Sequence, residues 1–215
     1  MSTQPYVLYV ADAYCGWCFG FGPRLKEFEA ANRDRIDFRV ISGGLFVGDR
    51  AQPIGQYPHI PDANARIARL TGVRFGPAYN AILEQGTFVL DSAAAAAGLA
   101  ALRAQDEQRG IEFFHQIQQE FYGEGRSLSD PETYVRIAAA TGLDPDRTKQ
   151  LLASGDAAKL AQADFATARR LGVTTYPTLL LIDGSKVHRL PATGTALEVL
   201  NRELTQALAA RQSAA

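Results

Sequence analysis

Cysteine is nearly absent: the 215 residues hold two, so a framework of structural disulfides is excluded. Methionine and tryptophan occur once each and histidine three times, which leaves little imidazole from which to build a metal site. An excess of charge of either sign is also lacking. Lys+Arg number 22 against 23 Asp+Glu and no basic block stands out, so neither a nucleic-acid nor a membrane-surface partner is expected. The pairs Arg66/Arg69 and Arg169/Arg170 read as solvated helix faces. No run approaches the ~18 consecutive apolar residues of a membrane-spanning helix. The opening "MSTQPYVLYVADAY" lacks the basic segment, apolar core and cleavage site of a secretory signal. A cytoplasmic location is therefore expected, where a stable structural disulfide is disfavoured and a close cysteine pair serves catalysis or metal binding more often. What remains is an ordinary globular composition, 47% hydrophobic and 21% charged, sufficient for one or two domains.

The pattern along the chain is α/β. "PYVLYV" reads as a buried strand over Tyr6–Val10, and "IDFRVI" (Ile36–Ile41) alternates as a second strand. Between them Cys18, Phe21, Leu25 and Phe28 recur at helical steps, with Pro23 inside the helix. Strand, helix and strand make a βαβ unit with parallel strands. Ser42–Pro61 carries four glycines and three prolines and reads as a long loop, either functional or a surface linker. It leaves the same sheet edge as the cysteines, where open α/β folds put their sites.

Asp62–Ser154 reads as five or six helices, with starts at Asp91-Ser92, Ser129-Asp130 before Pro131, and Asp144 before Pro145. Ala157, Leu160, Ala161, Phe165, Ala168 and Leu171 form a further apolar helical stripe that Gly172 ends. "TLLLIDGSKVHRL" is a hairpin about Asp183-Gly184, and Ala196–Ala209 a last amphipathic helix. The order βαβ, helices, αββα divides the chain into 1–61, a helical insertion over 62–155, and 156–215.

Both cysteines lie in "YCGWCFG", Cys15 and Cys18. Cys15 follows a strand and opens a helix, where unpaired N–H groups and the positive end of the helix dipole favour an anion such as a thiolate. Cys18, one turn inward, can attack a mixed disulfide formed at Cys15. The pair thus reads as nucleophile and resolving thiol. Gly16 imposes little steric demand, and Trp17 can cover the thiolate or meet an apolar substrate. Lacking the positive charge of a histidine at that position, Trp17 points to an intermediate redox potential. Metal binding is disfavoured, since a lone CxxC supplies two of four ligands and His59, His115 and His188 show no ligand-like spacing.

"YCGWCFGFGPRL", with Pro23 five residues after the second cysteine, together with "GVTTYPTLLL", resembles the active-site segments of the thioredoxin superfamily. The element order is similar to that of its DsbA-like branch. "CGWC" followed by "SGGLFVG" looks most like the bacterial predicted protein-disulfide isomerases related to FrnE. The resemblance implies a thioredoxin-like fold with a mixed four-stranded sheet, interrupted by the helical insertion. It implies that Tyr176-Pro177 begins, with a cis bond, a strand facing the CxxC, where Tyr176 can offer its backbone to an extended substrate.

The expected activity is thiol–disulfide exchange on a protein or small-molecule disulfide or dithiol, with no bound cofactor and with glutathione as a candidate thiol donor. Two alternatives stay open: a glutathione-dependent isomerase or transferase on a small apolar substrate, and a non-enzymatic peptide-binding module. Asp12 reads as a candidate redox-tuning carboxylate or proton relay, or else as a strand-end or capping residue. His59 is a candidate site-lining residue; Glu27, His115 and His188 read as solvated, helix-packing and exposed, respectively.

Overall fold

A computed structural model of the chain describes residues 4–212. The first three residues of the stretch read for a signal, and the last three of the C-terminal segment, lie outside the described residues. Strands β1 (Tyr6–Ala11), β2 (Asp37–Ser42), β3 (Thr178–Asp183) and β4 (Lys186–Leu190) form one mixed sheet in the order β2-β1-β3-β4. Helix α1 (Gly16–Ala30) joins the parallel pair β1 and β2. β3 runs antiparallel to β1, with Thr178 opposite Val10. The C-terminal ends of β1 and β2 and the start of β3 therefore share one sheet edge.

β1 and β3 are central, so both of their faces are covered and their sequences are continuous apolar runs. β4 is an edge strand with Lys186, His188 and Arg189 exposed; such charges discourage edge-to-edge pairing. Pro23 sits inside α1 on its exposed side. Cys18, Phe21, Leu25 and Phe28 form the buried stripe that their spacing indicates.

Between the two halves of the sheet come α2 (Ile60–Thr71), α3 (Pro77–Gln85), α4 (Ser92–Arg103), α5 (Gly110–Gln118), α6 (Pro131–Ala140) and α7 (Pro145–Ala153). The caps read from sequence form: Asp91, Asp130 and Asp144 each accept backbone N–H groups at the start of α4, α6 and α7. α8 (Asp156–Arg170) leads back to the sheet and α9 (Leu197–Gln212) follows it.

One apolar cluster runs from Tyr9 and Phe21 through Phe113 and Phe121 to Tyr134, so the inserted helices share a core with the sheet. Arg103 of α4 pairs with the largely buried Asp164 of α8 at 2.7 Å, and Asp164 also accepts the Ser42 N–H of β2 at 3.2 Å. This ties the end of β2 to both helices.

Two expectations need correction. Leu160 is 46% exposed rather than part of the buried stripe, because the buried face of α8 is the narrow row Ala157, Ala161, Asp164, Phe165 and Ala168. The segment after β2 is neither structureless nor a surface linker. It forms single turns at Gly48–Arg50 and Ile54–Gln56, bridges Pro53 to Val89, and buries Phe46 and Ile54.

Candidate active site

The chain leaves β1 through Asp12–Tyr14 and enters α1 with Cys15 as its N-cap, in extended geometry. The Cys15 carbonyl already accepts the Cys18 and Phe19 N–H groups at 3.0 and 3.1 Å. Both cysteines are free thiols; Cys15 is 6% exposed and Cys18 fully buried. The Cys15 thiol donates to the carbonyl of Tyr176 at 3.6 Å across 161 positions of sequence. The Tyr176–Pro177 peptide bond is cis. Among the described residues the Tyr176 N–H makes no hydrogen bond. The sheet order thus brings Cys15, Tyr176 and Pro177 together at one edge.

Tyr176 is held by Gly43, the residue that follows β2. Its hydroxyl donates to the Gly43 carbonyl at 2.6 Å, and its ring occupies the place of a Gly43 side chain, since a Cβ there would lie 1.9 Å from a ring carbon. Only glycine allows that approach.

Burial pushes the Cys18 thiol above its ordinary range, and the neighbouring Cys15 sulfur acts in the same direction. The Asp12 backbone N–H and the Tyr9 hydroxyl oppose this, although that hydroxyl, buried beside Cys18, stands outside regular hydrogen-bond geometry. Asp12 is itself 1% exposed. Its carboxylate accepts the Tyr14 N–H at 3.0 Å, the Leu45 N–H at 2.7 Å and the Ser92 hydroxyl at 3.0 Å. Burial raises its pKa, and these three hydrogen bonds lower it in part. The side chain bonds neither thiol, and its contacts are those of a strand-end brace. Ser92 in turn accepts the Phe46 N–H at 2.9 Å, so one buried pair links β1, the loop after β2, and α4.

Two spaces flank the cysteines. On one side Cys15 faces an apolar cavity of about 120 Å³ lined by Phe46, Ile54, Ile60, Tyr79, Phe121 and Tyr122. Phe121 and Tyr122 belong to a single π turn, Gln119–Gly123, that continues α5; such turns re-aim side chains and recur at functional sites. His59, itself exposed, also borders this cavity. On the other side an open groove of about 490 Å³ runs between Trp17, Arg66 and Leu70 and the loop Thr175–Pro177. The half-buried Trp17 lines both spaces.

Gly16 faces α2, where a Cβ would come 3.0 Å from Ile67 and 3.1 Å from the Asn64 side-chain oxygen. Its smallness therefore serves helix packing as well. His115 is half-buried against Gly22 with Nδ1 unpaired, His188 is exposed on β4, and Glu27 pairs with Arg24 in solvent. Among the described residues no group of three or more His, Cys, Asp or Glu is placed to hold a metal.

Three contributors lie outside the residues singled out from sequence. Ser92 was masked by Asp91, since either could cap α4. Gln118 reaches the carbonyls of Ala13 and Cys15 at 3.4 and 3.5 Å from a helix with no motif. Arg66 is exposed, as expected of a solvated face, and its guanidinium also stands 5.7 Å from the Trp17 ring centroid. No local signal marks any of them.

A family model described as a DSBA-like thioredoxin domain matches residues 6–198. A protein from Nitrosomonas europaea, provisionally named a protein disulfide isomerase, superposes with a TM-score of 0.81 at 20% identity, over 95% of this chain and 98% of that one. That likeness is one of fold. The cytosolic disulfide reductase DsbM of Pseudomonas aeruginosa superposes with a TM-score of 0.73 at 29% identity, over 86% of this chain and 89% of DsbM. DsbM has also been solved with GSH. The ClpXP adapter protein SpxH of Bacillus subtilis is 24% identical over 178 residues, which cover 82% of this chain and 58% of SpxH. The chain thus spans less than two thirds of that curated relative.

Proposed function

The chain belongs to the DSBA-like thioredoxin domain family, whose fold is that of thiol–disulfide oxidoreductases, and from that premise we propose that it reduces disulfides through Cys15 and Cys18. The observation that carries the reading is the Cys15 thiol at a helix N-terminus, 3.6 Å from the Tyr176 carbonyl, with a second thiol one turn inward.

In the first step the Cys15 thiolate attacks one sulfur of a substrate disulfide. A Cys15–substrate bond forms, the substrate S–S bond breaks, and the first substrate thiolate leaves and takes up a proton. Cys18 then gives up its proton and attacks the Cys15 sulfur, which expels the second substrate thiol. Two electrons have passed to the substrate, and the protein holds a Cys15–Cys18 disulfide. A thiol reductant such as glutathione restores the dithiol by the same exchange in reverse. Burial of Cys18 keeps the resolving thiol protonated until the mixed disulfide forms beside it. Tyr176, with its free N–H, and Pro177 bind the substrate backbone at the sheet edge.

Reduction, rather than oxidation, is the direction in a reducing cytoplasm, and the similarity to cytosolic DsbM supports that setting. The test uses insulin as a disulfide substrate. Cys15→Ser is expected to abolish reduction, and Cys18→Ser to accumulate a mixed disulfide detectable by mass. Wild-type rates from Cys15→Ser would overturn the assignment.

The apolar cavity beside Cys15 favours one second reading, a glutathione-dependent isomerase or transferase acting on a small apolar substrate. An engineered apolar cavity of ~150 Å³ takes a benzene ring, and the present one is of similar size. Such an enzyme would keep its activity in Cys18→Ser, which the redox cycle does not.

A further inference from the structure

Trp17 is the only tryptophan in the chain, and the guanidinium of Arg66 stands 5.7 Å from its ring centroid. That is the one interaction the Arg66 side chain makes among the described residues; its guanidinium has neither an ion pair nor a hydrogen bond. The arrangement follows from helix packing. Gly16 and Gly20 lie one turn apart on α1 and present no side chain to α2. A Cβ on Gly20 would come 2.6 Å from Ile67, so α2 approaches closely at this point. Arg66, the residue before Ile67, is carried over the indole.

The indole and the cation form one wall of the groove of about 490 Å³, and Thr175, Tyr176 and Pro177 form the other. No aspartate or glutamate lines it, so its formal charge is that of Arg66 alone. Its unpaired polar groups suit a peptide. The Tyr176 N–H is free among the described residues, and the Thr193 hydroxyl at the groove has no hydrogen-bond partner. A guanidinium with its donors free matches a carboxylate. The groove falls in the range of small-ligand sites, ~300–1,000 Å³.

We propose that this groove binds the carboxylate-bearing half of a small peptide thiol or disulfide, with Arg66 pairing to the carboxylate and the Trp17 face packing on the stem, beside Cys15. Arg66 is then a specificity-determining residue that selects acidic over neutral or basic disulfides. This rests on the redox reading of Cys15 and Cys18 for its catalytic consequence, but the binding itself does not.

The experiment therefore has two arms on the full chain. Trp17 fluorescence reports binding without chemistry when a Cys15→Ser variant is titrated with S-methylglutathione, which cannot exchange. Saturable binding is expected, weakened about fivefold or more by Arg66→Gln and similarly by esterifying the ligand's carboxylates. In the second arm, the ratio of kcat/KM for oxidised glutathione to that for bis(2-hydroxyethyl) disulfide is expected to fall about fivefold in Arg66→Gln. Arg66→Glu is expected to shift preference towards the dicationic disulfide cystamine, and added salt to diminish the wild-type ratio. Absence of binding, equal binding of the ester, or a ratio untouched by Arg66→Gln would overturn the proposal. Inactivity of wild type on every disulfide, with the binding pattern intact, would instead remove the redox reading and leave the groove assignment standing.

Discussion

The hydroxyl of Tyr176 donates to the carbonyl of Gly43 at 2.6 Å, and the ring lies where a Gly43 side chain would be. A loop after β2 and a loop before β3, 133 positions apart, thereby position the same backbone group that meets the Cys15 thiol. Displacing the ring displaces one wall of the site.

Gly43→Ala should accordingly act on both stability and activity. The added methyl forces the ring out, an overpacking that costs roughly 1–3 kcal/mol, and disulfide reduction should fall well beyond what the lost stability explains. Tyr176→Phe removes only the hydrogen bond and should cost about 1 kcal/mol. Urea denaturation alongside an insulin-reduction assay checks the pair; equal effects from both variants would contradict the steric account.

Ser92→Ala leaves the Phe46 N–H without its acceptor and removes a donor from the buried Asp12 carboxylate. Leaving such groups unsatisfied costs about 1–3 kcal/mol. The loop between β2 and α2 should exchange its amides faster, and hydrogen-exchange mass spectrometry of that segment is the measurement. Unchanged protection of Leu45 and Phe46 would show that the brace is dispensable.

The two thiols should separate under alkylation. Cys15 keeps 6% exposure and Cys18 none, and burial raises the Cys18 thiol while Cys15 lines the cavity. Iodoacetamide applied to the native, reduced protein should label Cys15 well before Cys18, and denaturant should equalise them. Peptide mass spectrometry reads both, and preferential labelling of Cys18 would contradict the assignment of nucleophile.

Stability should depend on pH through His115. Burial, and then the Lys26 charge, hold its pKa below the ordinary 6.5, so the fold favours the neutral ring. Its contribution is complete above about 6.5 and is lost as pH falls through the lowered folded value. Comparing wild type with His115→Gln by thermal denaturation between about pH 8 and pH 5 should show a difference that shrinks towards acid. A constant difference would mean that the ring contributes packing alone.

Much of the fold was legible along the chain. The two inner strands are apolar runs, α1 shows its buried stripe, and the caps at Asp91, Asp130 and Asp144 bond as their residue types imply. The strand before Cys15 and the helical recurrence from Cys18 likewise marked a helix start at Cys15. Less legible were Phe46 and Ile54, which sit among glycines and prolines yet are buried, and Leu160, whose spacing fits a stripe that the helix does not bury. Asp12 was readable as either relay or brace, and its partners Leu45 and Ser92 lie 33 and 80 positions away.

The sequence by itself determined the local parts: strand, helix start, thiol pair and hairpin. Each depends on backbone bonds and side-chain periodicity within a few residues. The resemblance set Tyr176-Pro177 opposite the pair, as the structure has it; only the tertiary structure decided the contacts that hold them there. The Tyr176 carbonyl at Cys15, the Gly43 seat for the Tyr176 ring and Arg66 over Trp17 all require sheet order and helix packing to join distant segments. Such contacts leave no periodic trace, because a serine, a glycine or a surface arginine carries the same local preference whatever lies across from it.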